Sequence, residues 1–125
     1  MPIRHGSSAT IEMEVTDADT AIQIRSGDVP VLATPRLVAL FEEAAVTAIA
    51  GQLPEGQTSV GMRVQVDHLA PTAVGTVVTA EATLERVDGR RLQFTVSARD
   101  PRGLVGAGKV TRVVVDTERF LDKLH

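Results

Sequence analysis

The chain has 125 residues, a length that suits one domain. Hydrophobic residues make up 43% and charged residues 23%, which excludes a disordered chain, and a formal charge of −3 removes the basic footprint of a nucleic-acid binder. The absence of cysteine excludes disulfides, thiolate metal ligands and a cysteine nucleophile.

The segment from Met1 to Ser8 is polar and no apolar leader follows it. No apolar run nears the roughly 20 residues that cross a bilayer. The expectation is a cytoplasmic protein that meets neither membrane nor nucleic acid. Only three aromatic residues are present, all Phe, so Val, Leu, Ile, Ala and Met must build the core. The many β-branched residues favour strands.

Residues 9–15, ATIEMEV, alternate weakly and predict a first strand. Residues 20–25, TAIQIR, predict a short extended piece, which Ser26-Gly27-Asp28 ends. Thr34-Pro35 then signals a helix start, with Thr as N-cap and Pro at the first helical position. At 3.6 residues per turn, Leu37, Val38, Leu40, Phe41, Ala44, Ala45, Ala48 and Ile49 share one arc. Glu42 borders that arc, Glu43 lies outside it, and Gly51 and Pro54 close the helix. The alanines imply a close packing partner.

Residues 59–69 predict a long strand with Val60, Met62, Val64, Val66 and His68 on one face. Further strands are predicted over 76–87, 91–99 and 104–116, separated by the turns Asp88-Gly89 and Asp100-Pro101-Arg102-Gly103. Residues 117–124 predict a short terminal helix. The order of strand, long helix and four strands gives an α+β fold with an antiparallel sheet. One helix cannot cover both faces of such a sheet, so a homodimer is expected.

Four positions invite a chemical reading beside a structural one. His68 ends an apolar strand face before a Pro-containing loop, a place for a pocket rim or for a hydrogen-bonded core histidine. Glu42 is either a partly desolvated base or nucleophile, or the solvated flank of the helix. Gly61 interrupts the His68 strand, marking either a bulge or the close approach of a ligand whose carbonyl its N–H polarises. Arg112 shares parity with Val110 and Val114, and pairs with a carboxylate or sits at a sheet edge. Thr34 alone reads as an N-cap.

The segments VLATPRLVALFEEAA, SVGMRVQVDHLAPTAVGTVVTAEATLERVDGRRLQFTVSARD and GAGKVTRVVV followed by ERF resemble the fluoroacetyl-coenzyme A thioesterases of the hot-dog fold. The resemblance runs from about Val31 to the terminal helix. It implies a long central helix wrapped by an antiparallel sheet, with sheets paired in a dimer and sites at the interface. It also implies a catalytic group of Thr34, Glu42 and His68, with Gly61 and Arg112 at the site. No cofactor or metal is implied; acyl-coenzyme A would be the substrate, with Val31 and Leu32 at its acyl end and Arg90 and Arg91 near its phosphates. The fluoroacetyl-specific enzyme carries a Phe-bearing lid before its catalytic Thr. Here that stretch is Arg25-Ser26-Gly27-Asp28-Val29-Pro30, so little preference for the fluoroacetyl group is expected.

The function expected from these readings is hydrolysis of a small acyl thioester to free acid and coenzyme A. Two rivals stand beside it. A hydratase or dehydratase of the same fold would use Asp67 with His68, which strand alternation puts on opposite faces. A non-catalytic acyl-coenzyme A binding module would bind without releasing thiol.

Overall fold

The computed structural model describes residues 3–125. Strand β1 (Ser8–Glu14) leads through a 3-10 turn (Asp17–Asp19) and a one-turn helix α1 (Ala21–Ile24) to the long helix α2 (Thr34–Ala48). Strands β2 (Gln57–His68), β3 (Val77–Asp88), β4 (Arg91–Asp100) and β5 (Gly103–Asp116) follow, and α3 (Thr117–Asp122) ends the chain. All neighbours pair antiparallel in the order β1-β3-β4-β5-β2. Among the described residues, no helix is long and apolar enough to cross a membrane.

The sheet's inner face carries period-two apolar positions. Val78, Ala80, Ala82 and Leu84 of β3, Leu92, Phe94, Val96 and Ala98 of β4, and Val110 and Val114 of β5 are all buried. Against them α2 presents the predicted arc of Leu37, Leu40, Phe41, Ala44, Ala45 and Ala48. Burying each large side chain of this arc contributes about 1.5–3 kcal/mol. Alanines on both surfaces let helix and sheet backbones approach closely.

Helix α2 lies mainly over β1 and β3 and reaches β2 far less. The consequence is visible on β2, an edge strand of 12 residues. Val64 points to the helix side yet stays 37% exposed, and Met62 on the same strand is 46% exposed. A long, half-apolar edge strand with free backbone groups is a surface that proteins ordinarily cover.

Two expectations require correction. Residues 20–25 are not an extended piece beyond Thr20. Thr16 and Asp19 form a reciprocal capping box, and Thr20 Oγ1 accepts a bond from the Gln23 backbone N–H at 3.4 Å. These local side-chain bonds outcompete strand pairing, and the turn closes on Arg25 in the left-handed region at φ 69°. Second, Val60 and Met62 do not share a face with Val64, Val66 and His68. The β2–β5 register slips between Gly61 and Arg63, so Met62 is an unpaired bulge residue. Parity flips there. Ser59 and Gly61, opposite the inward Val114 and Arg112, join Val64, Val66 and His68 on the inner face.

Candidate active site

Two side-chain groups sit along α2, one at its N-terminus and one near its middle. The first gathers at its N-terminus. Thr34 is the first helical residue, not the N-cap, which is Ala33 and has no side-chain bond to give. The Thr34 hydroxyl is thereby free for another partner, and its Oγ1 lies 2.8 Å from His68 Nδ1. His68 arrives at the end of β2, where it pairs with Gly106. A Cβ on Gly106 would stand 2.9 Å from the Asp67 carbonyl oxygen and 3.0 Å from Leu37 Cδ2, so only glycine lets β5, β2 and α2 converge here without displacement.

The other His68 nitrogen, Nε2, is sealed from solvent and has no partner among the described residues. An unmet buried polar atom costs about 1–3 kcal/mol, and such atoms concentrate where a role other than packing is served. Burial holds the imidazole pKa below its ordinary 6.5, with the Ala70 backbone opposing that shift. The ring is therefore neutral at pH 7, the form that accepts a proton.

A cleft of about 350 Å³ opens over this pair, lined by Val31, Leu32, Thr34, His68 and the Ser26–Val29 stretch. Val31 and Leu32 thus both line this cleft. The wall is anchored by backbone bonds from Leu32 N–H to the Thr72 carbonyl and from Ala33 N–H to the Asp19 carbonyl, both 2.9 Å. Arg36 Nε also donates to Asp19 at 3.0 Å, tying the turn before α1 to the first turn of α2. Among the described residues, no Phe lines the cleft.

The second group gathers two turns along the helix. Arg112, 7% exposed, donates from Nη1 to Glu42 Oε2 at 3.1 Å. The same guanidinium donates from Nε to Ser59 Oγ and from Nη2 to the Ser59 carbonyl, each at 2.9 Å. Burial draws the Arg112 pKa down, and Glu42 opposes that shift. Glu42 therefore faces Arg112 as an ion pair, its side chain 34% exposed, where the helical arc left open a partly desolvated acid or a solvated flank. Its Oε1 has no hydrogen-bond partner among the described residues, whereas Glu43 faces solvent.

Gly61 belongs to this second group. A Cβ there would collide with Glu42 Oε2, so the missing side chain makes the space the carboxylate occupies. The adjoining bulge at Met62 is what turns this position inward. Arg90 and Arg91 part company: Arg91 lines a cleft on the outer face of the sheet, and Arg90 lines others beside Pro54 and Phe120. Asp67, on the face opposite to His68, lines none of these clefts.

The structure joins Thr34 with His68, and Glu42 with Gly61 and Arg112, but it does not join the two groups within one chain. Thr34 and Glu42 are about 12 Å apart along the helix axis at 1.5 Å per residue. Gly61 and His68 are about 20 Å apart along the strand at about 3.3 Å per residue. Ser59 and the glycines of β5 went unread in the sequence. The Gly106-Ala107-Gly108 spacing inside a predicted strand was the available signal of close backbone approach.

Comparison with known proteins gives a consistent picture. A family model described as fluoroacetyl-CoA-specific thioesterase matches residues 15–118. The fluoroacetyl-CoA thioesterase of Streptantibioticus cattleyicolor is 42% identical over 95 residues, 76% of this chain and 68% of that one. A solved structure of the fluoroacetyl-CoA thioesterase FlK superposes with a TM-score of 0.93 at 34% identity, covering 99% of this chain and 96% of the other. A hot-dog-like protein from Thermanaerovibrio acidaminovorans gives 0.90 at 32% identity, covering 98% and 90%. A thioesterase superfamily member from Thermus thermophilus gives 0.91 at 31% identity, covering 98% and 91%. The fold is the hot-dog fold, as its five-stranded sheet and single long helix indicate.

Proposed function

The chain belongs to the fluoroacetyl-CoA-specific thioesterase family and is an acyl-CoA thioester hydrolase, and from that premise we propose that it works as a homodimer whose sites combine Glu42 of one subunit with Thr34 and His68 of the other. The observation that carries this reading is the separation of the two groups on one chain, with His68 Nε2 left unmet in one and Glu42 Oε1 uncommitted in the other. Both lie on the inner face next to the free β2 edge. If that edge pairs antiparallel with its copy about a two-fold axis near Val64 and Gln65, Gly61 and the adjoining Glu42 come opposite the partner's His68. The same pairing covers the exposed Val64 and removes the open strand edge.

In this site the roles divide by chemistry. Arg112 holds one oxygen of Glu42 and leaves Oε1 to attack the acyl carbonyl or to take a proton from the attacking water. His68, neutral and hydrogen-bonded through Nδ1 to Thr34, moves a proton to or from the water and the departing thiolate. A backbone N–H beside Gly61 is the proposed donor to the developing oxyanion. The enzyme acts in the cytoplasm on acyl-CoA, without membrane or nucleic acid, which accords with its net charge of −3.

The acyl group is small. Ser26, Gly27, Asp28 and Val29 line the cleft in place of an aromatic lid, and an apolar pocket alone separates near-isosteric ligands by only about 1–3 kcal/mol. Acetyl-, fluoroacetyl-, butyryl- and aryl-acetyl-CoA are the panel that tests both activity and choice. The expected result is free-thiol release, no hydration of an enoyl thioester, and a fluoroacetyl-to-acetyl ratio of kcat/KM below about a thousandfold. Binding with no thiol release by any member would overturn the hydrolytic reading.

A further inference from the structure

The outer face of the sheet, turned away from α2, carries an organised set of basic side chains. Arg86 of β3 pairs in register with Gln93 of β4, Gln93 with Thr111 of β5, and Thr111 with Arg63 of β2. These four residues form one row straight across four strands, roughly 14 Å wide at about 4.8 Å per strand. Bulges at Glu85 and Met62 flank its two ends, and past each bulge an arginine takes the outward position. Arg91, paired with Asp88, begins the next row.

Together with Met62, these residues line a cleft of about 190 Å³. Three guanidinium groups face one carboxylate there. Among the described residues the only ion pairs are Arg36–Asp19 and Arg112–Glu42, so none of the three guanidinium groups is paired with a carboxylate, Asp88 included. On a chain of net charge −3 this is a local reversal of sign. Like charges gathered without counter-charges raise one another's cost, and a multivalent anion relieves it. Guanidinium forks match phosphate oxygens in pairs, while the Thr111 hydroxyl and Gln93 amide add neutral donors between them.

We propose that this row binds a phosphate-ester anion on the face of the sheet opposite the catalytic residues. The neighbouring Arg112 points inward to Glu42 whereas Thr111 points outward, so the sheet itself separates the two sites. Pairing of β2 edges extends the sheet sideways and leaves this face open. Two sources supply such an anion: the nucleotide end of the acyl-CoA substrate, or a separate phosphorylated metabolite.

The probes are inorganic pyrophosphate and adenosine 3′,5′-bisphosphate, titrated calorimetrically into the intact protein at low and at physiological salt. Binding should weaken with salt and drop at least about tenfold in Arg63→Ala/Arg86→Ala, the loss of one or two charge-assisted contacts. Arg91→Gln, a milder change, should weaken binding with circular dichroism unchanged. If the substrate's nucleotide end is the occupant, the double variant raises KM for acetyl-CoA at constant kcat and leaves hydrolysis of acetyl-pantetheine untouched. If a separate metabolite is the occupant, the probe is lost with KM unaltered. No binding to the wild-type protein, or equal binding to all three proteins, overturns the proposal. Neither result bears on thiol release, so the hydrolytic reading stands or falls separately.

Discussion

Glu42 and Glu43 are adjacent acids on one helix, and their environments separate them. Glu42 touches Gly61 and is held by Arg112, while Glu43 is exposed. Glu42→Ala should lower kcat by about 10²–10⁴-fold, the usual range for a lost acid–base or nucleophilic group, with Glu43→Ala close to wild type. Thiol-release kinetics on folded protein checks this, and equal losses in both variants would remove Glu42 from the site. His68 gives the pH dependence. Its folded pKa lies below 6.5 because burial disfavours the charged ring. Its contribution to stability is therefore complete above about 6.5 and is lost as pH falls through the lower folded value. The acid limb of kcat/KM should lie below pH 6.5 for the same reason, and His68→Gln should abolish that limb. At this scale the sequence displayed Glu42, through its place on the helical arc, and left Arg112 open between an ion pair and a sheet edge. It misplaced Thr34 because Thr-Pro at a helix start reads as a cap, and a bond to a residue 34 positions away has no local signature.

Strands β2 and β5 run so close that glycine is required between them. A Cβ on Gly108 would meet the Gln65 carbonyl oxygen and stand 2.6 Å from Val66 Cα. Gly108→Ala should cost about 1–3 kcal/mol through overpacking, read as a lower midpoint in chaotrope unfolding followed by circular dichroism. An unchanged midpoint would mean that the two strands part without cost. The elements themselves were legible because their signals are local: apolar period two in the strands, period 3.6 in α2, and Asp-Gly at a hairpin. The bulge at Met62 was not. A bulge adds one residue without changing composition, and unbroken alternation from Val60 to His68 hides the slip. Residues 20–25 failed for a related reason, since capping by Thr20 and the Thr16–Asp19 box outweighed β-propensity over so short a run.

At the scale of the molecule, the fold poses a problem that a single chain does not solve. The long edge of β2 is open, its inner face is thinly covered, and the proposed catalytic groups stand two turns apart on one helix. The sequence pointed to a partner by counting one helix against a large sheet, and the family resemblance put the sites at the interface. A two-fold dimer resolves all of these together. It also makes a direct test available, because a site shared between subunits can be rebuilt from two defective chains. Glu42→Ala and His68→Ala are each expected to release almost no thiol from acetyl-CoA. Co-refolded in equal amounts, they should regain about a quarter of wild-type activity, since half of randomly paired two-fold dimers are mixed and each mixed dimer holds one intact site of two. A mixture that is dimeric by light scattering yet no more active than its components would contradict the shared site and return Glu42 and His68 to separate work within one chain.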